Sequence, residues 1–198
     1  MLNEPDLVVL ASGLGERFSG GDKLMAELAG QPVLAHTLTN AKAAPARRRY
    51  ALIGQNQPER AALAQKMGFE ILTNPAPEQG QGSAISTAVK TARTHDAKSV
   101  LIMLGDMPFV SALHLMKLVA VQVGKTSAVM SETDGNLLPP ALFSSRHFDR
   151  LEQLSGDKGA KKLFNSIPAR ATVSLAPEEA IDIDTQDELA YLNTELGA

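Results

Sequence analysis

The sequence contains no cysteine. That absence excludes a disulfide framework, a thiolate zinc site, an iron–sulfur cluster and a cysteine nucleophile. Long apolar runs are missing as well, since no stretch reaches the roughly 18 residues that a membrane-spanning helix needs. The first six residues are acidic where a secretory signal peptide would be basic. We therefore expect a soluble, cytoplasmic protein with no membrane partner.

A strong excess of charge of one sign is also lacking, because 19 basic and 22 acidic residues leave a formal net charge of −3. Nucleic-acid binding proteins usually carry a basic excess. The basic run from Arg47 to Arg49 is interpreted as a solvated face, so no nucleic-acid partner is expected. Apolar residues make up 44% of the chain and charged residues 21%, which is typical of a globular domain. The length of 198 residues predicts one domain over residues 1–198.

Short apolar strands alternate with stretches of helical spacing along the chain. This alternation predicts an α/β fold of three layers, with a mostly parallel, doubly wound sheet between helices. Weak periodicity over residues 134–162 is interpreted as an insertion or a lid. Strands are predicted at 7–10, 50–54, 69–72, 100–104 and 127–130. Helices are predicted from Pro32 to 38, at 58–67, from a cap at Ser83 to 94, at 113–123 and from a capping box at Thr185 to 196.

A glycine-rich loop follows the first strand and is the first candidate site, because ligands of open α/β sheets bind at the carboxyl ends of strands. Glycines at 13, 15, 20 and 21 let backbone N–H groups approach a polyphosphate, while Arg17 and Lys23 supply positive charge. The spacing fits neither the dinucleotide fingerprint nor the P-loop. The alternative is an ordinary flexible surface loop.

Carboxylates form the second candidate site. Asp106 directly follows an apolar strand, where it is well placed to hold Mg²⁺ together with substrate phosphates. Asp182 and Asp184 alternate with isoleucines, so an extended backbone would turn both carboxylates to one face. The alternatives are that Asp106 is a turn residue, that Asp184 serves only the start of the last helix, and that Asp182 is solvated.

Three motifs in this order resemble those of the MobA-like nucleotidyltransferases, and most of all those of the molybdenum cofactor cytidylyltransferases. They are Leu-Ala-Ser-Gly-x-Gly-x-Arg-Phe-x-Gly-Gly-x-Lys-Leu from Leu10, Gly-Asp-Met-Pro from Gly105, and Gly-Asp-x-Gly-Ala from Gly156. The resemblance covers nearly the whole chain. It implies a Rossmann-like nucleotidyltransferase fold in which the first loop wraps the triphosphate of a nucleoside triphosphate.

The resemblance also implies roles for individual residues. Arg17, Lys23 and Asp106 are expected to be catalytic. Mg²⁺ is expected on Asp106 and Asp182, with Asp184 in a structural role; the alternative is that Asp184 completes the metal site. Residues 139–143 and 156–161 are expected near the acceptor. The expected nucleotide-binding residues are Leu10, Ala11, Ser12, Gly13, Gly15, Lys23, Asn74, Gly80, Gly82 and Ser83.

The reaction that the resemblance implies is Mg²⁺-dependent transfer of a nucleoside monophosphate from CTP to the phosphate of molybdopterin or its molybdenum-loaded form. A molybdoenzyme or its chaperone is the implied recipient of the product. Ser12 stands where cytidylyl members tend to alanine and guanylyl members to glycine, so GTP is an alternative donor. A sugar phosphate is an alternative acceptor. An alternative of another class is a non-catalytic nucleotide-binding module.

Overall fold

A computed structural model of the protein describes residues 4–15, 18–19, 21–121, 126–156 and 159–197. Within these ranges the strands are β1 (Asp6–Leu10), β2 (Glu27–Leu28), β3 (Gln31–Pro32), β4 (Arg48–Gly54), β5 (Glu70–Asn74), β6 (Ser99–Leu104), β7 (Ala128–Thr133), β8 (Asn136–Ser144) and β9 (Arg170–Ser174). The helices are α1 (Val33–Ala43), α2 (Pro58–Lys66), α3 (Gly80–Thr94), α4 (Ala112–Val121), α5 (Phe148–Leu151), α6 (Lys161–Asn165) and α7 (Gln186–Glu195). None of these helices in the described part of the chain is long and apolar enough to cross a membrane.

The central sheet has seven strands in the order β5-β4-β1-β6-β8-β7-β9. Strands β5, β4, β1 and β6 run parallel, and β7 and β9 are parallel to each other. Only β8, among the described strands of this sheet, is antiparallel to its neighbours β6 and β7. The chain builds outward from β1 to β5 and then returns to the other side of β1 as β6. The switch point therefore lies between β1 and β6, and a ligand crevice is expected there.

Alternate residues of β1 divide the core into two apolar clusters. Leu7 and Val9 belong to a cluster that also contains residues of α1, α2, α4 and α7. Val8 and Leu10 belong to the other cluster, which contains residues of α3, α5 and α6. The alternation follows from the two-residue period of a strand. The predicted three-layer fold with a mostly parallel sheet is confirmed.

The interpretation of residues 134–162 as an insertion or a lid is wrong for β8, which lies inside the sheet between β6 and β7. Two prolines at 139 and 140 hid this strand, because proline argues against a central strand. The pairing of β7 with β8 shifts register between Met130 and Ser131, and the prolines lie opposite that irregularity. They are therefore accommodated where the regular ladder is interrupted.

Two predicted helix starts also differ from the structure. Helix α3 begins at Gly80, so Ser83 lies within its first turns and is not the cap. Pro32 precedes α1 and pairs with Glu27 in the small hairpin of β2 and β3, which was not predicted. The capping box before α7 is confirmed, because Thr185 accepts a hydrogen bond from the backbone N–H of Glu188 and Glu188 bonds back.

Candidate active site

A cavity of about 580 Å³ lies at the carboxyl ends of β1 and β6, and we call it the switch-point cavity. Its position matches the crevice that the strand order predicts. Polar and charged groups converge on it from five separate parts of the chain. It is lined by Leu10, Ser12, Gly13, Leu14, Gly15, Lys23, Leu24, Arg60, Pro77, Glu78, Gly80, Gln81, Ala84, Leu104, Asp106, Asp182 and Asp184.

The glycine-rich loop leaves β1 as one wall of this cavity. Its first residue, Ala11, is buried and donates its backbone N–H to Leu52 O at 2.9 Å. From residue 12 to residue 15 the backbone N–H groups have no acceptor within the described residues. Gly15 has a φ of +66°, a conformation that glycine adopts without strain. The loop therefore presents unbonded donors beside the cavity, as an anion-binding loop does.

Asp106, which follows β6, lies at the same switch-point cavity. Gly105 packs so closely on the start of the loop that an added Cβ would lie 3.2 Å from Leu10 O. The hydroxyl of buried Thr37 in α1 donates to Gly105 O at 2.9 Å, and this bond holds the turn between β6 and Asp106 in place. The backbone N–H of Ile183 donates to Asp106 O at 3.2 Å, and this bond brings the segment with Asp182 and Asp184 to the cavity.

Lys23 is the cation at the centre of these carboxylates. Its Nζ lies 2.7 Å from Asp106 Oδ2 and 2.9 Å from Asp184 Oδ1, and its side chain is only 11% exposed. Burial lowers the pKa of Lys23, but the negative charges and hydrogen bonds of Asp106 and Asp184 outweigh it, so the pKa lies above its usual value. Lys23 is therefore a fixed positive charge. Asp184 contacts it directly, so its role extends beyond the helix start.

The second carboxylate oxygen of Asp106, Oδ1, is buried and has no hydrogen-bond partner within the described residues. Asp182 lies on the open rim of the same cavity, yet partial desolvation, followed by the charges of Asp106 and Asp184, raises its pKa. Lys23 therefore balances only part of the negative charge that Asp106, Asp182 and Asp184 bring to the cavity.

The described part of the chain has no group of three or more acidic or histidine side chains arranged to hold a metal ion. Lys23 occupies the space between Asp106 and Asp184 instead. The residues still fit Mg²⁺, because that ion is usually held by one or two carboxylates and completed by substrate phosphates and water. Asp106, with its unpaired Oδ1, and Asp182 on the rim are the two oxygen donors of this kind.

The other predicted nucleotide-binding residues fall into two groups. Gly80, with a φ of +74°, lines the cavity at the start of α3. Asn74 is fully buried behind the loop, where its Nδ2 donates to Ser12 Oγ at 2.9 Å. Gly82 donates its backbone N–H to Gly156 O, and Ser83 Oγ reaches Ala76 O. The structure thus places residues 74, 82 and 83 beside the wall, where they support it.

Arg17, which the sequence predicts to be catalytic, lies outside the described residues, as do Asp157 and Lys158 of the third motif.

The sequence analysis missed Arg60 of α2, which is 3% exposed and lines the cavity. Its guanidinium donates to both carboxylate oxygens of Asp22 at 2.7 Å and to the carbonyl oxygens of Ala11 and Gly13 at 2.6 and 2.9 Å. Arginine at a helix start is a common surface residue. No local pattern distinguishes this one, because its partners lie 38 to 49 residues away in sequence.

A second cavity of about 300 Å³ adjoins the first and shares Leu10, Gln81 and Leu104 with it. The remaining lining comes from β6, β7, β8, α3 and the segment 159–161. Most side chains of the lining are apolar, and Gln81 and Lys161 are its polar members. Besides the three shared residues, the lining consists of Ile85, Ile102, Met130, Leu137, Leu138, Pro139, Ala141, Phe143, Gly159, Ala160 and Lys161. Described parts of the two segments predicted to lie near an acceptor, within 139–143 and 159–161, thus form part of the wall of this second cavity.

Comparison with known proteins identifies relatives of this chain. The purine catabolism protein PucB of Bacillus subtilis is 37% identical over 114 residues, which cover 56% of this chain and 55% of PucB. The bifunctional protein GlmU of Leifsonia xyli is 34% identical over 127 residues, which cover 62% of this chain and 26% of GlmU. The chain therefore matches about half of PucB and about a quarter of GlmU.

Solved structures match over nearly the full chain. The crystal structure of Rv0371c from Mycobacterium tuberculosis H37Rv has a TM-score of 0.80 and 28% identity, and the match covers 96% of this chain and 98% of that one. A structure of Rv0371c in complex with manganese has a TM-score of 0.77 and 25% identity. Residues 7–173 match the family model of the MobA-like NTP transferase domain. The chain therefore belongs to the MobA-like NTP transferase domain family.

Proposed function

We propose that the protein is a Mg²⁺-dependent nucleotidyltransferase that joins the nucleoside monophosphate of CTP to the phosphate of a molybdopterin-type acceptor and releases pyrophosphate. The observation that carries this proposal is the set of Lys23, Asp106 and Asp182 facing unbonded loop N–H groups across one cavity. The proposal treats residues 1–198 as one nucleotidyltransferase domain, which the single seven-stranded sheet supports.

In the proposed reaction, a phosphate oxygen of the acceptor attacks the α-phosphorus of the nucleotide in line. One phosphorus–oxygen bond forms, and the bond from the α-phosphorus to the bridging oxygen breaks, so that the electron pair leaves with pyrophosphate. The acceptor oxygen is already anionic, and no general base is needed. Catalysis then rests on positioning and on neutralising charge.

Different residues of the cavity bind the phosphates and neutralise the charge. The backbone N–H groups of Ser12, Gly13 and Gly15 bind the phosphates, and Lys23 neutralises charge that develops on the leaving pyrophosphate. A divalent cation on Asp106 and Asp182 would supply further positive charge to the phosphates. The manganese complex of Rv0371c supports divalent metal use in a relative of this chain. By the motif resemblance, Arg17 adds to the same positive charge.

The choice of CTP rests on Ser12. By the motif resemblance, cytidylyl members tend to alanine and guanylyl members to glycine at this position, so a side chain here favours CTP. The Ser12 hydroxyl accepts a hydrogen bond from buried Asn74 behind the loop.

The choice of acceptor rests on the second cavity. It opens from the first at Leu10 and Leu104, so a molecule within it can present a phosphate to the nucleotide. Its mostly apolar wall suits the faces of a flat heterocycle such as a pterin. A sugar ring would leave its hydroxyl groups facing side chains that cannot bond them, at a cost in binding. A molybdoenzyme or its chaperone would receive the product.

The test is pyrophosphate release from CTP, GTP, ATP and UTP with Mg²⁺, each with molybdopterin, with a sugar phosphate and without an acceptor. We expect release only with CTP and molybdopterin. Release with GTP would correct the donor, and release with a sugar phosphate would correct the acceptor. Tight nucleotide binding with no release under any condition would support the non-catalytic binding module and contradict the proposal.

A further inference from the structure

A half-buried salt bridge between Arg60 and Asp22 lies against the glycine-rich loop. Asp22 directly precedes Lys23, at the far end of the loop, and it receives two hydrogen bonds from Arg60. The same guanidinium holds the carbonyl oxygens of Ala11 and Gly13, at the near end. One side chain of α2 therefore ties together two points of the loop that are separated by eight residues or more in sequence.

Each end of this connection has a consequence for the cavity. At the near end, Arg60 holds carbonyl oxygens that would otherwise be able to face a phosphate and repel it. At the far end, Asp22 Oδ1 also accepts the backbone N–H of Leu24, and Asp22 O accepts those of Met25 and Ala26. This turn contains Lys23, so the position of the ammonium depends on Asp22.

Gln57, the residue before α2, also contacts the carbonyl side of the loop and shares Gly13 O with Arg60. Its Nε2 lies 3.3 Å from both Ser12 O and Gly13 O, while its Oε1 accepts the backbone N–H of Gly54. The contact is weaker than that of Arg60 because both donor–acceptor distances are long. The first turns of α2 thus hold the carbonyl side of the loop.

We propose that Arg60, through its fork to Asp22, is a positioning residue that sets the triphosphate-binding geometry of the glycine-rich loop and of Lys23. This inference rests on the proposed function, because it assumes that the loop binds a nucleoside triphosphate. Arg60 acts through the loop: its three guanidinium nitrogens are already bonded to Asp22 and to the loop carbonyls. Its removal is therefore expected to weaken binding of the phosphates rather than of the nucleoside.

The test compares the affinities of CTP and CMP, since the ratio of the two dissociation constants measures the contribution of the outer phosphates. Arg60→Met removes the guanidinium, and Arg60→Lys keeps the charge without the fork. We expect Arg60→Met to lower the CTP-over-CMP preference by about tenfold or more, as the loss of charge-assisted hydrogen bonds implies. Arg60→Lys should recover only part of it, because a lysine cannot make the bidentate contact.

Two further variants keep the test decisive if Arg60→Met folds poorly. Asp22→Asn is a milder change, because Asp22 is half-buried and asparagine keeps one acceptor oxygen. It should lower the CTP-over-CMP preference by a smaller factor than Arg60→Met does. Arg47→Met is the matched control, since Arg47 makes a comparable fork to buried Asp6 far from the cavity. It should leave the ratio unchanged.

The outcomes distinguish failure of the positioning role of Arg60 from failure of the proposed nucleotidyltransferase function. If wild-type protein binds CTP and the Arg60 and Asp22 variants retain its CTP-over-CMP preference, the inference is overturned and the proposed function stands. Equal loss of CTP and CMP binding, as general destabilisation would produce, also overturns the inference. If wild-type protein binds no nucleoside triphosphate with Mg²⁺, the proposed function fails, and the inference fails with it.

Discussion

A buried carboxylate lies at each end of the sheet, and the two differ in how completely the described residues pair them. At the amino end, both oxygens of Asp6 accept hydrogen bonds from Arg47, at 2.9 and 3.1 Å, and the Tyr50 hydroxyl bonds to His95 Nδ1. At the carboxyl end, Asp106 Oδ1 has no partner within the described residues, and Asp182 has a raised pKa.

This difference indicates where a ligand would bind. A buried charge without a partner costs stability, so an unpaired carboxylate oxygen beside a cavity indicates a ligand site. Asp6 is paired within the protein, and the partnerless atoms at the amino end belong to Arg49, whose other guanidinium nitrogens are bonded, and to the uncharged hydroxyl groups of Ser99 and Ser144. At the carboxyl end, the proposed function supplies phosphates for the loop donors and a cation for the carboxylates. Four predictions test this contrast, from the largest expected effect to the smallest.

Replacing Lys23 by methionine should have the largest effect. The variant removes the positive charge between Asp106 and Asp184, and we expect turnover to fall by about a thousandfold, as for loss of a group that stabilises transition-state charge. Steady-state pyrophosphate release with saturating CTP measures it. Turnover within a few-fold of wild type would contradict the role given to Lys23.

Asp106→Asn should lower turnover by about a hundredfold, because it removes one of the two oxygen ligands proposed for the cation. The variant should also require more Mg²⁺ for half-maximal activity. The free energy of unfolding should change little, since relief of repulsion among Asp106, Asp182 and Asp184 offsets the weaker contact with Lys23, which keeps its ion pair with Asp184. A matched urea titration checks this, and an unchanged Mg²⁺ requirement would place the cation elsewhere.

Arg47→Met should affect stability alone. It leaves Asp6, which is fully buried, without its partner, and we expect the free energy of unfolding to fall by about 2 kcal/mol, between the values for exposed and buried pairs. Urea denaturation measures the loss. A changed dissociation constant of CTP in this variant would contradict the account, in which the amino end contributes to stability and the carboxyl end binds the ligand.

Two glycines at the carboxyl end should respond differently to alanine. A Cβ on Gly82 would lie 2.7 Å from the backbone nitrogen of Ser155, so Gly82→Ala should cost about 1–3 kcal/mol of stability. Gly13 has no atom within 4 Å of an added Cβ, and Gly13→Ala should be nearly neutral for stability. Urea titrations of both variants check this, and equal losses would show that the contact at Ser155 does not constrain Gly82.

The sequence predicted features whose chemistry is local. The apolar run at β1, the glycines after it, and Asp106 after β6 each carry their signal within a few residues. The capping box at Thr185 is local in the same way. These patterns placed the loop and Asp106 at the same edge of a parallel sheet, which the structure bears out.

The missed features depend on contacts between distant segments. Arg60 contacts Asp22, 38 residues earlier, and the surrounding sequence resembles any surface helix. Strand β8 was hidden by its prolines, whose tolerance depends on the register irregularity in β7. Burial of Asn74 against Ser12 likewise arises from the pairing of β4 with β5, which a single strand does not reveal.

The central claim is that the carboxyl end binds a nucleoside triphosphate together with a divalent cation. The most direct measurement is a thermal-shift series with CTP, GTP, ATP and UTP, each with and without Mg²⁺, on wild-type protein and on Asp106→Asn. We predict a Mg²⁺-dependent shift with CTP that Asp106→Asn loses, of the size expected when a ligand at 100 times its dissociation constant adds about 2.7 kcal/mol. The absence of a shift in wild-type protein with every triphosphate would contradict the claim.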